Sequence, residues 1–207
     1  VCAMAGFDHV LIDAEHGNID VAGCEALVRA AEAAGTTPIV RVPVNAPEAI
    51  LRYLDTGAQG VLVPQVTTRE DAERAVEAAR YHPRGRRGLA GTRAADYGLR
   101  GSLAEYARFA NEQLLVQALI EDIRALDNLP AILAVEGLDI IAIGPADLSQ
   151  SMGYPGQRDH PAVRDAIAEI IRLGLAAGKV VGMNAPTGAD AAFERRRGVR
   201  LTSVGVY

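Results

Sequence analysis

The fold of this chain is decided by the stretch Ile143-Gly144-Pro145-Ala146-Asp147-Leu148-Ser149, read together with Glu121. Each acid follows a mostly apolar run typical of a buried strand: residues 116–120 precede Glu121, and residues 140–143 precede the turn that holds Asp147. Two carboxylates at neighbouring strand ends can share one hard metal ion. Further polar residues at or near predicted strand ends are Asp13, Glu15, His16 and Arg41. A parallel α/β architecture gathers such ends on one rim, where α/β barrels build active sites.

The composition predicts one α/β domain over residues 1–207. Apolar residues make up 49% of the chain, whereas aromatic residues make up 4% and tryptophan is absent. Alanine, valine, leucine and isoleucine must therefore fill the core, as expected for strands that are buried on both faces.

The net charge of −5 argues against a nucleic acid partner. The basic run Arg84-Gly85-Arg86-Arg87 is interpreted as solvated or in contact with another subunit, because no stacking aromatics are interleaved with it. Cys2 and Cys24 predict free thiols, buried or partly buried, rather than a disulfide framework. No apolar run approaches the roughly 18 residues of a membrane span, so we expect a cytoplasmic protein that makes no membrane contact.

Strands and helices alternate along the chain. The apolar runs predict strands near residues 10–12, 39–42, 60–63, 114–120, 140–143, 180–183 and 201–206. Helices are expected between these strands, with Asp20, Asn45 and Thr68 as the caps of the first three. The long connection over residues 81–102 interrupts this alternation. A connection of this length is typical of a functional loop or a subunit contact.

The predicted strand count is one short of a closed eight-stranded barrel. Residues 1–6 resemble the last turn of a helix with a glycine stop, and the chain ends in or just after a strand. We therefore expect an incomplete barrel that lacks its first strand and its last helix. The alternative is an open doubly wound sheet with its ligand crevice at the carboxyl ends of the strands.

Asp13-Ala14-Glu15-His16-Gly17 places several titratable groups directly after a strand. His16 is a candidate general base, because an imidazole can take a proton near neutral pH. The alternative is a loop whose acids serve only in capping and salt bridges. Arg41, inside an apolar strand, needs a partner for its charge. That partner could be Asp13 or Glu15, or it could be a carboxylate or enolate of the substrate.

Glu121 and Asp147 are the candidate metal ligands. Two carboxylates with other positions left for water and substrate suit Mg²⁺ or Mn²⁺ better than Zn²⁺. The alternative is that Glu121 and Asp122 cap the following helix. Backbone N–H groups of the turn from Gly144 to Asp147 could bind an anion, although Pro145 contributes no donor.

Several motifs resemble those of the HpcH/HpaI aldolases, the metal-dependent class II pyruvate aldolases related to 4-hydroxy-2-oxoheptanedioate aldolase. The motifs that carry the resemblance are FDHVLIDAEHG at residues 7–17, RVPVN at 41–45, LDTGAQGVLVP at 54–64, PRGRRG at 83–88, and GLDIIAIGPADLSQSMG at 137–153. They cover essentially the whole chain in order, which makes the resemblance specific.

The resemblance implies a (β/α)₈ TIM barrel of the phosphoenolpyruvate/pyruvate type. It implies a divalent ion (Mg²⁺, Mn²⁺ or Co²⁺) at Glu121 and Asp147, chelated by the carboxylate and keto oxygen of pyruvate. Arg41 would stabilise the enolate, and His16 would act as the base with Asp55 as its orienting partner. The substrate carboxylate would bind the backbone of the Gly144 turn, at the amides near Ala146 and Asp147. Relatives are commonly homohexamers that exchange the last helix.

The predicted activity is that of a carbon–carbon lyase, an aldehyde-lyase. It would reversibly cleave a 4-hydroxy-2-oxo acid, from aromatic or sugar-acid catabolism, into pyruvate and an aldehyde. Lys179 is the only lysine, and it lies at the start of a predicted strand, which disfavours a Schiff-base route. The alternatives are an acyl-CoA lyase like the citrate lyase β relatives, and a non-catalytic truncated barrel that acts as an assembly partner.

Overall fold

The computed structural model of the chain describes residues 1–205. The chain divides into two compact units. The first unit contains Val1–Val63 and Arg74–Val116, and the second contains Pro64–Glu73 and the residues from Gln117 onward.

Strands and helices alternate in the order expected from the sequence. The strands are β1 (His9–Asp13), β2 (Thr37–Arg41), β3 (Gly60–Val63), β4 (Leu115–Ile120), β5 (Ile140–Ile143), β6 (Val180–Ala185) and β7 (Leu201–Val204). The α-helices are α1 (Val21–Ala33), α2 (Pro47–Leu54), α3 (Arg69–Ala79), α4 (Leu103–Gln113), α5 (Arg124–Leu133), α6 (Pro145–Ser151), α7 (Pro161–Ala176) and α8 (Gly188–Arg196). Short 3₁₀ segments lie at Ala3–Ala5 and Arg93–Gly98.

In the first unit, β1 pairs with β2 and β2 pairs with β3, all in parallel. The register aligns Asp13 with Arg41, which are the last residues of their strands. Val40 and Val61, which also face each other in register, are fully buried. Parallel strands covered on both faces read as continuous apolar runs. Asp13 and Arg41 therefore mark the edge where the apolar core ends.

In the second unit, β4, β5, β6 and β7 pair in chain order, again in parallel. The register aligns Ile120 with Ile143, so Glu121 and Gly144 are the next residues beyond this aligned pair. The Gly144 N–H donates to the Ile120 carbonyl at 3.1 Å, which extends the ladder by one bond. The backbone of Gly144 is thereby fixed beside Glu121.

The strands predicted from apolar runs are confirmed in type and order, with small differences at their ends. β6 continues past the predicted end at Met183 to Ala185. The last strand was predicted to reach Val206, but that residue lies outside the described residues, and β7 ends at Val204. The expected helical turn at the start of the chain is a 3₁₀ segment that ends at Gly6.

Two of the three predicted helix caps are confirmed. Asp20 accepts a hydrogen bond from the Gly23 N–H at 2.7 Å, and the Thr68 hydroxyl accepts one from the Asp71 N–H at 3.2 Å. The prediction for Asn45 was wrong, because the residue at the cap of α2 is Ala46, whose side chain makes no capping bond. Proline at the start of this helix has a suitable fixed φ and no N–H that needs an acceptor, so a polar cap matters less there.

The remaining single-residue predictions concern thiols and Lys179. Both cysteines are free thiols, as expected, and Cys24 is buried. The predicted burial of Cys2 was wrong, because this residue is exposed near the start of the chain. The Lys179 ammonium donates to the carbonyls of Val135 and Leu138 at 3.0 and 2.7 Å, and burial lowers its pKa. This lysine immediately precedes β6, away from the carboxyl end of that strand. Within residues 1–205, no helix has both the length and the apolar character needed to cross a membrane.

Replacing the cap of α1 provides a test of the local structure. Asp20→Ala is expected to lower the free energy of unfolding by about 1 kcal/mol, because the Gly23 N–H loses its acceptor. Asp20→Asn is the matched control and should stay close to the native chain, since asparagine caps helices equally well. Urea denaturation measures both variants. Equal stability of the alanine variant and the native chain would contradict the cap.

Candidate active site

Arg41 is held by two acids at the ends of the first strands. Its Nε donates to Asp13 Oδ1 at 2.9 Å, and its Nη2 donates to Asp13 Oδ2. Its Nη1 lies 3.3 Å from Glu15 Oε2, and the three side chains are all largely buried. Pairing with Asp13 or Glu15 was one of the interpretations left open by the sequence, and the structure shows both pairs. The role of Arg41 toward substrate remains a prediction.

Asp13 also organises the turn that follows its strand. Its Oδ1 accepts the N–H groups of Glu15 and His16 at 3.0 and 3.2 Å. Burial alone would raise the pKa of Asp13, but the hydrogen bonds and positive charge of Arg41, together with these two amides, outweigh burial and lower it. Asp13 is therefore a fixed carboxylate that links the guanidinium to the turn carrying His16.

His16 is the accessible member of this group. Its side chain is 58% exposed, and its Nε2 lies 3.9 Å from Glu15 Oε2. An imidazole that reaches solvent at a strand end can also reach a substrate, which a general base requires. The assignment of His16 as the base is consistent with this position and remains a prediction.

Asp55 lies at the end of α2 and pairs with Arg87. The Arg87 Nη2 donates to Asp55 Oδ1 at 2.7 Å, and the guanidinium lies over the Tyr81 ring at 4.9 Å from its centroid. Within residues 1–205, no hydrogen bond joins Asp55 to His16. The role of Asp55 as the orienting partner of His16 therefore remains a prediction.

The interpretation of the basic run Arg84-Gly85-Arg86-Arg87 was wrong for its last residue. The Arg87 side chain is 1% exposed, whereas that of Arg86 is 85% exposed. The Arg87 side chain contacts Asp55 and the Tyr81 ring, which accounts for its burial. Arg87 is consequently part of a buried ion pair.

Glu121 is a buried carboxylate at the end of β4. The residue is 6% exposed, and its Oε1 accepts the Gln65 N–H at 2.8 Å. Gln65 takes a left-handed backbone conformation, with φ of 56°. A backbone donor thus fixes the orientation of Glu121, which is one of the two predicted metal ligands.

Gly144 is required by the close approach of Glu121. A Cβ atom at Gly144 would lie 2.8 Å from Glu121 Cβ and 3.0 Å from Glu121 Oε2. Its N–H donates to the Ile120 carbonyl, and the predicted contact of Gly144 with substrate remains a prediction. Ala146 and Asp147 lie in the first turn of α6, where N–H groups have no acceptor within the helix. These two amides remain the predicted anion donors.

Glu121 and Asp147 fit a hard divalent ion by the chemistry of their oxygen donors. The absence of a side chain at Gly144 keeps the space beside Glu121 Oε2 open. Within the described part of the chain, histidine, cysteine, aspartate and glutamate form no cluster of three or more that could hold an ion. An ion at this place would therefore keep positions for water or substrate.

Sequence reasoning missed two contacts at these sites. The Gln65 N–H bond to Glu121 carries no side-chain signal, because the donor is backbone. The Arg87 bond to Asp55 had a weak signal, since Arg87 stands in the PRGRRG motif, but a run of arginines usually indicates a solvated surface.

The family is settled by comparison with known proteins. A family model described as HpcH/HpaI aldolase/citrate lyase matches residues 1–206. The chain belongs to the HpcH/HpaI aldolase/citrate lyase family. The 5-keto-4-deoxy-D-glucarate aldolase of Shigella boydii serotype 18 is 38% identical to this family member over 205 residues, which cover 99% of this chain and 79% of the relative.

Solved structures agree with this family assignment. An HpcH/HpaI aldolase/citrate lyase family protein from Burkholderia cenocepacia J2315 superposes with a TM-score of 0.92 at 38% identity, covering 98% of this chain and 80% of that one. The citrate synthase SbnG superposes with a TM-score of 0.88 at 37% identity, covering 99% and 79%.

These similarities confirm the resemblance found in the sequence and the (β/α)₈ fold class that it implied. This HpcH/HpaI family member is a carbon–carbon lyase of the aldolase type, and the aldolases to which it is similar act on small molecules. The open doubly wound sheet, considered as the alternative, is not supported.

The ion pair of Asp13 predicts a specific pH dependence of stability. Because the folded state lowers the pKa of Asp13, its ionised form stabilises the fold above about pH 4, and this contribution is lost as the pH falls through the folded pKa. Asp13→Asn should therefore lower the free energy of unfolding at neutral pH, with a difference that narrows on acidification. Urea denaturation over a pH series measures it, with the exposed Asp8→Asn as control. A difference that stays constant with pH would contradict the assignment.

Proposed function

We propose that this chain is a divalent-metal-dependent aldolase that reversibly cleaves a 4-hydroxy-2-oxo acid into pyruvate and an aldehyde. The observation that carries the proposal is the buried Glu121 carboxylate at the end of β4, beside Gly144. Gly144 directly precedes the helix whose first turn contains Asp147. Family membership and the aldolase relative support the reaction class.

Glu121 and Asp147 would hold the ion, which is Mg²⁺, Mn²⁺ or Co²⁺. Aldolases of this family are generally dependent on a divalent metal. When bound, the ion would supply Lewis-acid polarisation of the 2-oxo group. Oxygen donors from two carboxylates suit these ions better than zinc, which prefers nitrogen and sulfur ligands.

Arg41 would stabilise the negative charge that develops on the substrate. Cleavage leaves the electron pair of the broken bond on the pyruvate half, as an enolate. A guanidinium that Asp13 and Glu15 already orient does not need to reorganise when this charge appears. Preorganised donors of this kind are among the largest contributions to catalysis.

His16 would take the proton of the 4-hydroxyl group. As that proton leaves, the bond between C3 and C4 breaks, C4 becomes the aldehyde carbon, and the electron pair forms the enolate. Protonation at C3 then gives pyruvate. The exposed imidazole of His16 suits this exchange of protons with substrate and solvent. Asp55 would orient His16 once substrate is bound.

The amides of Ala146 and Asp147 would bind the substrate carboxylate. Both belong to the first turn of α6, where the helix offers N–H donors to an anion. This contact would orient the 2-oxo group toward the metal ligands Glu121 and Asp147. The chain's own backbone thereby contributes to the position of the pyruvate half.

The substrate class is narrowed by the aldolase relative from Shigella boydii. Counted from its keto-acid end, 5-keto-4-deoxy-D-glucarate is a 4-hydroxy-2-oxo acid, and its aldol cleavage yields pyruvate and a three-carbon acidic aldehyde. We therefore propose a sugar-derived acid of this class as the first substrate to test. The hexameric state and the cytoplasmic location expected from the sequence remain predictions.

One observation favours a second candidate. The citrate synthase SbnG, at 37% identity, is named for a reaction that forms a carbon–carbon bond. Bond formation of this kind also proceeds through a stabilised carbanion, so Arg41 could serve either reaction. Product analysis separates the two candidates, because aldol cleavage releases pyruvate whereas the second candidate yields citrate.

Metal-dependent release of pyruvate is the test of the proposal. With Mg²⁺, Mn²⁺ or Co²⁺, the chain should release pyruvate from a panel of 4-hydroxy-2-oxo acids, and a chelator should stop the reaction. Glu121→Gln or Asp147→Asn should lower the rate at least about 100-fold, because each removes one of two charged ligands. Coupled spectrophotometric detection of pyruvate measures the rate. Equal release by the native chain and either variant would refute the metal assignment.

A pair of glycine variants is the matched control for the position of Glu121. Gly144→Ala should weaken Mn²⁺ binding measured by calorimetry, because the new Cβ displaces the Glu121 side chain. Gly188→Ala should bind Mn²⁺ as the native chain does, since a Cβ there meets no atom within 4 Å. Similar loss in both variants would argue against a specific role of Gly144.

A further inference from the structure

In the first unit, the almost fully buried guanidinium of Arg87 pairs with Asp55. Only Nη2 of the guanidinium bonds the carboxylate, and the buried Nε has no hydrogen-bond partner within residues 1–205. A guanidinium that stabilises a fold usually engages a carboxylate with two parallel bonds, which offsets more of the cost of desolvation. The single bond leaves that cost partly uncompensated.

The loop that carries Arg87 is fixed independently of this pair. The Arg86 N–H donates to the Glu77 carbonyl at 2.7 Å, and the Arg87 N–H donates to the Arg80 carbonyl. The Tyr81 N–H donates to Asn111 Oδ1 at 2.7 Å, and Asn111 Nδ2 donates back to the Tyr81 carbonyl at 2.9 Å. Arg87 therefore extends from a rigid base, and the Tyr81 ring supports its guanidinium from one side.

The same long connection also holds the residue after Asp55. Arg93 donates to the Thr56 carbonyl at 2.6 Å and pairs with Glu32. The backbone at Thr56 and the carboxylate of Asp55 are thus fixed by two arginines of one loop. Within the described chain, Asp55 Oδ1 is engaged by Arg87, whereas Oδ2 accepts no hydrogen bond. This arrangement leaves one carboxylate oxygen available to a partner other than Arg87.

We propose that Arg87 is a positioning residue for the reaction: it fixes the Asp55 carboxylate through Oδ1 so that Oδ2 can orient the catalytic imidazole. This inference rests on the proposed function, in which Asp55 acts on His16. It explains why a charged residue is retained in a buried place where an apolar residue of similar size would serve stability as well. It also gives the long connection over residues 81–102 a role in the chemistry.

A double-mutant cycle tests the inference in the full chain. Arg87→Met, Asp55→Asn and the double variant are compared by kcat and KM for pyruvate release. In the native background Arg87→Met should lower kcat about 10- to 100-fold with little change in KM, as for other residues that orient a ligand or base. In the Asp55→Asn background, Arg87→Met should lower kcat only slightly further, because Arg87 acts through Asp55. Arg86→Met, an exposed neighbour, should leave kcat unchanged.

The outcomes separate this inference from the proposed function. If the native chain releases pyruvate but Arg87→Met is fully active, or lowers kcat equally in both backgrounds, the role of Arg87 is refuted and the proposed aldolase activity is not affected. If the native chain releases no pyruvate over the panel, both the aldolase activity and the role of Arg87 are refuted. Circular dichroism checks that the variants are folded. If Arg87→Met does not fold, Arg87→Lys replaces it in the same cycle, since lysine keeps the charge and loses the planar fork.

Discussion

Buried charge at the carboxyl ends of parallel strands is the constraint on which the rest of the structure depends. An ion taken out of water costs several kcal/mol unless partners and hydrogen bonds offset that cost. In the first unit the cost is met by placing Arg41 against both Asp13 and Glu15. A slip of one residue between β1 and β2 would separate this pair and turn each side chain to the other face. The ion pair therefore specifies the register as well as the site.

In the second unit, a backbone group stabilises the buried charge of Glu121. Glu121 is oriented by the Gln65 N–H, and Gln65 adopts a left-handed conformation that costs on the order of 1–3 kcal/mol for a residue other than glycine. Gly144 has no side chain, which leaves room for the Glu121 carboxylate. The left-handed Gln65 and the missing side chain at Gly144 support the proposal that Glu121 belongs to the site.

The strand-end residues could be predicted because apolar runs locate buried strands, and a polar residue that ends such a run marks the rim. This reasoning placed Asp13 and Glu121 correctly, and it placed Arg41 one residue before the end of a strand that in the structure ends at Arg41. It failed for Arg87, because whether an arginine faces water depends on how the backbone of a long loop folds back onto a helix. It could not find the Gln65 amide, since a backbone donor leaves no mark in the sequence. The sequence likewise does not show which amides near Gly144 are free to bind a ligand, because this depends on which N–H groups already bond within the sheet.

The central claim is that Glu121 and Asp147 bind one divalent ion, and anomalous diffraction from crystals grown with Mn²⁺ tests it most directly. The account predicts a single strong anomalous peak about 2 Å from a carboxylate oxygen of each residue, with the remaining positions taken by water or an added 2-oxo acid. A peak bound elsewhere, or no peak at saturating Mn²⁺, would contradict it.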